Sequence, residues 1–276
     1  LKRYTPRITD VFNVIPGDIG RPLQHLSHEF DDLDLAAEAR SVLDSLTEVE
    51  RELEANGMYF LMRMMPYRAE EERVKGVVAT FIDITERRKA ELAVRRQVQQ
   101  QEAVATLGLT ATKTLDLDDL KHKAVQTVAD TLGVPYVSVA RYRPSEDALV
   151  LEVSIGIDGV AEGTDDAPKR RSATHDFPSG YALHVREPVV TTRLSGDQRF
   201  QTPPHLPENE VQSCLSVPIL NNDTPYGVLN VYTTEEDEFT DNDVHFLQSV
   251  SNLLASAVNR HNAEEALRRA KEEAEA

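Results

Sequence analysis

Tryptophan is absent from this 276-residue chain, cysteine occurs once, and aromatic residues of all kinds make up only 6%. The lone Cys214 excludes an internal disulfide and with it the small secreted scaffolds that are stapled by several; a reducing, cytoplasmic location is expected. Long hydrophobic runs are also missing. The best stretches, Met58 to Met62 and Gly76 to Ile82, fall well short of the ~18–20 apolar residues of a spanning helix, so no membrane contact is expected. Positive charge is in short supply, with 30 Lys and Arg against 47 Asp and Glu. The resulting net charge of −17 opposes binding to nucleic acid or an anionic surface. The chain opens on Leu1 rather than Met and has no charged-then-apolar leader, which leads us to expect a segment of a longer protein. What remains is an ordinary globular composition, 40% apolar and 28% charged, long enough for about two domains at ~100–200 residues each.

Along the chain, Thr5-Pro6 followed by Ile8, Val11 and Phe12 predicts a helix to about Asn13. Two Pro/Gly turns follow at 16–22, and the helical spacing of Leu35, Ala39, Val42, Leu43 and Leu46 predicts a long helix over 33–54. Met58 to Arg68 and Val74 to Ile84 read as an antiparallel pair around the acidic turn Glu70-Glu71-Glu72. From Thr85 to about Lys113 the composition turns to Glu, Arg, Lys, Gln and Ala, with Val94, Val98 and Ala105 near heptad spacing, which predicts a helix lying outside either core. Beyond it, Asp116 is a candidate N-cap for a helix ending at Gly133. Strands are predicted at 137–142, 149–155, 189–192, 213–220 and 226–233, the last two joined through Asn221-Asn222-Asp223, with a loop over 156–176. Thr240-x-x-Asp243 resembles a capping box opening the last helix, whose stripe runs through Leu247, Val250, Leu254 and Ala257.

Several of these residues form recognisable groups. Arg3-Tyr4-Thr5-Pro6, Phe12-Asn13-Val14-Ile15-Pro16, Asp18-Ile19-Gly20-Arg21-Pro22 and the closing Asp83-Ile84-Thr85 make the first unit resemble a PAS domain over 1–88, lacking the family's first hairpin. The segments 129–134, 179–182, 187–190, 197–200, 213–219, 227–232 and Phe239-Thr240-Asp241 make the second resemble a GAF domain over roughly 104–262. The resemblance implies an α+β fold class: two antiparallel-sheet sensor domains, PAS-like then GAF-like, joined by a long helical connector. The expected division is 1–88 PAS-like (N-terminally truncated), 89–112 helical coiled-coil connector, 113–262 GAF-like and 263–276 C-terminal signalling helix.

No catalytic residues are expected. Ser27-His28-Glu29-Phe30 superficially resembles a phospho-accepting histidine box, but Asp31-Asp32 follow where that box has a basic residue, and no nucleotide-binding element accompanies it. An exposed loop histidine is the simpler reading. His25 and His28 lack a third metal ligand, and the Asp158-to-Asp166 cluster lacks a ligand-loop spacing, so no metal is expected. Of the cofactors such families use, a flavin thioadduct needs a cysteine in the first unit and haem an axial His on 33–54; neither is present. Cys214, in an alternating strand, reads as packing rather than as an attachment or redox site. Cyclic-nucleotide GAF domains carry an Asn-Lys pair after the strand matching 227–232, where this chain has Thr233-Thr234. No cofactor is therefore identified. The resemblance does place Tyr181, Arg199 and Phe200 at the roof of a GAF pocket, candidates to hold an unknown small-molecule ligand. The simpler alternative is that the two rings close the core and Arg199 pairs with an acid.

These features point to a sensory segment of a signal-transduction protein, most simply a histidine kinase feeding a phosphorelay; the ending Ala266 to Ala276 resembles the helix that enters such a kinase. Other outputs open to the same modules are a diguanylate cyclase, a phosphatase or a chemotaxis methylesterase–methyltransferase fusion. A reading of a different class is a non-catalytic interaction scaffold. Asp83, Ile84 and Thr85 are the candidate signal-coupling residues, with Thr85 capping the connector and Asp83 pairing with Arg87 or Arg88. The expected partners are the output domain of the same chain and a second copy, in a parallel homodimer through both helices.

Overall fold

The computed structural model describes residues 1–30, 33–68, 74–113, 116–157, 170–201, 211–221, 224–236 and 239–275. Asp31-Asp32, the Glu70-Glu71-Glu72 turn, the Asp158-to-Asp166 cluster and Asn222-Asp223 lie outside these residues. The chain divides into two units, Leu1–Arg95 and Arg96–Ala276.

In the first unit, three short 3-10 turns lead into α1 (Leu35–Ser45) and an antiparallel sheet of β1 (Val49–Ala55), β2 (Met58–Arg68) and β3 (Val74–Asp83), ordered β1-β2-β3. The predicted helix after Thr5 is only a 3-10 stretch, Pro6–Asp10, and the Thr5 side chain makes no capping bond. The predicted helix over 33–54 is likewise shorter. Leu46 takes a left-handed conformation (φ 57°) and its N–H closes on Val42, ending α1. Beyond it the period changes to two: Glu50, Glu52 and Glu54 face out while Leu53 and Ala55 are buried opposite Phe60 and Met58. Pairing with β2 thus overrides the helical propensity of Glu, Leu and Ala.

Asp34 caps α1 by accepting the amides of Ala36 and Ala37 at 3.0 and 2.8 Å, and the helix lays Leu35, Ala39 and Val42 on the sheet. Val42, Met62 and Met64 are fully enclosed, each worth ~1.5–3 kcal/mol of apolar burial. Phe12, Phe30, Phe60 and Phe81 pack edge and face around them at 5.0–5.7 Å. His28 is not the exposed loop residue expected. It is half-buried, bridged to Phe12 through the backbone, with its ring 5.6 Å from that of Phe12.

Helix α2 (Thr85–Lys113) leaves β3 after a single residue. The second unit continues with α3 (Leu117–Leu132), β4 (Tyr136–Arg143), β5 (Ala148–Ile155), β6 (Arg170–Ser172), α4 (Pro178–Val185), β7 (Val189–Thr191), β8 (Ser213–Asn221), β9 (Thr224–Thr233) and α5 (Asp241–Glu275). Its six-stranded antiparallel sheet has the order β6-β5-β4-β9-β8-β7. Alternation along the strands makes two apolar faces. Val137, Val139, Leu215, Val217, Leu229 and Val231 meet α3, α5 and the end of α2; Cys214 and Tyr232 point the other way, with Ala182 of α4.

Two expectations change here. Leu107 and Ala111 of α2 are buried in the second core, and the boundary between units falls after Arg95, so the stretch expected as a free connector over 89–112 is partly a core helix. The stripe expected to pair two copies through α5, Leu247 to Ala257, is consumed by the same core, all four residues at most 6% exposed. Helix α4 falls just after the predicted loop over 156–176 and was not predicted, Pro178 being its one local start signal. It has eight residues, Pro178 at its first turn, and Gly180 where a Cβ would lie 2.1 Å from the Thr174 carbonyl oxygen.

Candidate functional site

Tyr181, Arg199 and Phe200 do come together, on the sheet face that carries α4. The Tyr181 and Phe200 rings meet edge-on at 5.5 Å, and the Arg199 guanidinium carbon sits 4.8 Å from the Phe200 centroid. Phe200 is buried and Tyr181 partly open. Arg199 is already engaged: Nε and Nη2 donate to the two oxygens of Asp197 at 3.0 and 2.7 Å. That pairing holds the Asp197 carboxyl below, and the Arg199 guanidinium above, their ordinary values. Asp197 thus offsets the Arg199 charge, and the aromatic edge formed by Tyr181 and Phe200 is neutral.

Beneath these residues the sheet carries a polar row. Ser216, Asn230 and Ser138 stand opposite one another on β8, β9 and β4; Ser216 Oγ donates to Asn230 Oδ1 at 2.8 Å and Asn230 Nδ2 to Ser138 Oγ at 3.5 Å. All three are almost completely buried. The neighbouring row is Thr191, Cys214 and Tyr232. Burial pushes the Cys214 thiol up to about 12, so it is a protonated packing group, with the buried Thr191 hydroxyl beside it. Where α3 meets β5 and β9, Lys121 donates to Glu152 at 2.8 Å and Tyr226 donates to the same oxygen at 2.6 Å. Burial alone would depress the Lys121 ammonium, but its bonds to Asp118 and Glu152 prevail and raise it.

The coupling triplet lies at the root of α2. Asp83 Oδ1 accepts the Thr85 amide at 2.9 Å, and the Thr85 side chain and amide together lower the Asp83 carboxyl below its ordinary range. Ile84 is buried and donates its amide to the Tyr59 carbonyl at 2.8 Å. Thr85 binds Tyr59 rather than capping its own helix: its Oγ1 accepts the Tyr59 amide at 2.9 Å and faces the Tyr59 carbonyl at 3.4 Å. Of the two expected partners of Asp83, Arg87 and Arg88, the latter faces Glu52 and Glu91 instead.

The Thr240–Asp243 box was legible in the sequence, but its third member, Gln100, was not. Asp243 is completely buried at the start of α5, where its Oδ1 accepts from Gln100 Nε2 at 2.6 Å and its Oδ2 takes two bonds from Thr240. The signal was present: Gln100 continues the Ala103/Val104, Leu107, Ala111 stripe one turn earlier, and a polar residue at a core position needs a buried partner. The stripe read from Val94, Val98 and Ala105 is the opposite, exposed face of the same helix. Among the described residues, no group of three or more His, Cys, Asp or Glu is arranged to hold a metal, and no helix is long and apolar enough to cross a membrane.

With this geometry the comparisons agree. The GAF domain family matches residues 116–258 and a PAS domain family matches residues 1–85. The chain belongs to the GAF domain family, carried behind a PAS domain. Among solved structures it is similar to the GAF domain of a phosphoenolpyruvate-protein phosphotransferase from Coxiella burnetii, at 16% identity over 62% of this chain and 98% of that one, with a TM-score of 0.54. The GAF domain of the Acinetobacter phosphoenolpyruvate-protein phosphotransferase gives 19% identity, coverage of 60% and 97%, and a TM-score of 0.51. At such identities the likeness is one of fold. A curated relative, an uncharacterized 104.1 kDa protein in the hypE 3' region of Rhodobacter capsulatus, is 37% identical over 91 residues, 33% of this chain. The chain spans about 10% of that relative's length.

Proposed function

We propose that this chain is the cytoplasmic sensory segment of a signal-transduction protein whose output is a histidine kinase domain encoded beyond it. The observation that carries the reading is the tandem of two sensor-family domains with one helix, α2, rooted in the last strand of the first and ending in the core of the second. Such a helix converts a small displacement of β3 into a movement at the second domain. The sensing face is the α4 side of the GAF sheet. Its aromatic edge at Tyr181 and Phe200, beside an Arg199 whose charge Asp197 offsets, suits a small ligand with an apolar or aromatic face. Val94, Val98 and Leu109, 47–64% exposed along α2, offer a second copy a parallel helix contact.

The test uses the whole encoded protein incubated with labelled ATP. Acid-labile phosphohistidine is expected, with a rate that changes when residues 1–88 are deleted. Absence of label in the intact protein overturns the kinase output, and a rate indifferent to the deletion overturns the sensory role.

A further inference from the structure

We propose that the Asp243 carboxylate couples the docking of α2 to the first turn of α5, with Gln100 and Thr240 as positioning residues on its two oxygens. Gln100 Nε2 donates to Oδ1 at 2.6 Å, and Arg96 Nη2 lies 3.3 Å from the same oxygen. On the other side, Oδ2 accepts the Thr240 amide at 2.9 Å and its hydroxyl at 2.7 Å, while Thr240 Oγ1 accepts the Asp243 amide at 3.3 Å. Gln100 is 4% and Asp243 0% exposed, so water does not stand in for either partner.

Helix α2 is therefore held to the second unit by apolar packing and by polar bonds, among them Gln100 and Arg96 on Asp243 and Arg260 donating to the Ala111 carbonyl. Leu107 and Ala111 sit in the apolar cluster with Leu247 and Leu254, a contact that is non-directional and tolerates a small rotation. The Gln100 bond is directional and does not. A turn of α2 about its axis breaks that bond first and leaves Oδ1 with the longer contact to the half-exposed Arg96 alone. Asp243 regains its second donor on Oδ1 only by following Gln100 or by turning toward solvent, and either movement draws Oδ2 off Thr240 and loosens the start of α5. Linkage requires the reverse as well: loosening the α5 cap must weaken the hold on α2 by the same factor. All the groups lie within one unit, so the coupling stands whatever output the protein serves.

Hydrogen exchange of the intact chain, followed by mass spectrometry, tests this. Gln100→Ala is expected to speed exchange at amides 241–247 by about tenfold or more, and Thr240→Ala to do the same at amides 97–104, with β8 and β9 unchanged. Effects confined to the substituted residue's own helix would overturn the coupling. Should an alanine variant also lose protection in β8 and β9, Gln100→Asn, one methylene too short to reach, is read instead. Faster exchange at 241–247 supports the coupling and unchanged exchange there overturns it.

Discussion

Thr85 Oγ1 accepts the Tyr59 amide hydrogen at 2.9 Å, so the first residue of α2 is bound to the central strand of the first sheet. Thr85→Val keeps the shape of the side chain and removes both contacts with Tyr59, leaving the Tyr59 amide without that acceptor. A loss of about 1 kcal/mol is expected, confined to the first unit. Urea unfolding followed by exchange in β2 and in β8 separates the two units; equal loss in both, or none, contradicts the assignment.

Acid should unfold the chain through a few identifiable carboxylates. Asp18 is lowered by the Ile15 amide, Asp83 by Thr85, Asp118 by Lys121 and Asp197 by Arg199, from an ordinary value of 3.8. A carboxylate lowered in the folded state stabilises fully above its unfolded pKa, and that contribution fades as pH falls through the folded one. Urea midpoints are therefore expected to be flat from about pH 7 to 5 and to fall below about pH 4. Asp118→Asn with Asp197→Asn should shallow the acid limb; a limb of unchanged steepness contradicts the argument.

Cys214, with its thiol pushed up to about 12 by burial, reports unfolding rather than reacting in the native state. The thiol is protonated at pH 8 and buried. Labelling by a thiol reagent is expected to run no faster than amide exchange in β8. Complete labelling within minutes in the absence of denaturant contradicts this.

Lys121 is only 4% exposed and holds Glu152 in place beneath Tyr226. Lys121→Met leaves Glu152 with the Tyr226 hydroxyl and with Arg141 at 3.9 Å, and a loss of about 2–4 kcal/mol is expected. Adding Glu152→Gln removes the stranded charge and should restore a good part of it. If the double variant is no more stable than the single one, the charge pair is not what holds α3 to the sheet.

The elements legible in the sequence were those whose local signals and tertiary role agree. Asp116 and Gly133 bracket α3 as capping chemistry requires, the Thr240–Asp243 box opens α5, and the alternating runs became β2, β3, β4, β5, β8 and β9. Misreadings arose where tertiary contacts decide. Val49–Ala55 has helical composition and becomes a strand only because β2 buries Leu53 and Ala55. Helix α4 depends on the close approach of Gly180 to Thr174, which leaves no trace in periodicity. Of the candidate site, the meeting of Tyr181, Arg199 and Phe200 could be anticipated from family resemblance. The pairing of Arg199 with a nearby acid was the simpler alternative and is made by Asp197, two residues away, whereas the engagement of Gln100 by Asp243, 143 residues away, could not be anticipated.

The central claim, that α2 passes a signal from the first domain to the second, is tested most directly by inserting residues between Glu91 and Leu92, in the exposed part of the helix. Seven residues add two turns less about 20°, and four add one turn plus about 40° while breaking the heptad register. On the proposed kinase output, the seven-residue insertion in the whole encoded protein is expected to leave the basal autophosphorylation rate near that of the parent and the four-residue insertion to shift it severalfold. Rates indistinguishable from the parent for both insertions would contradict the account.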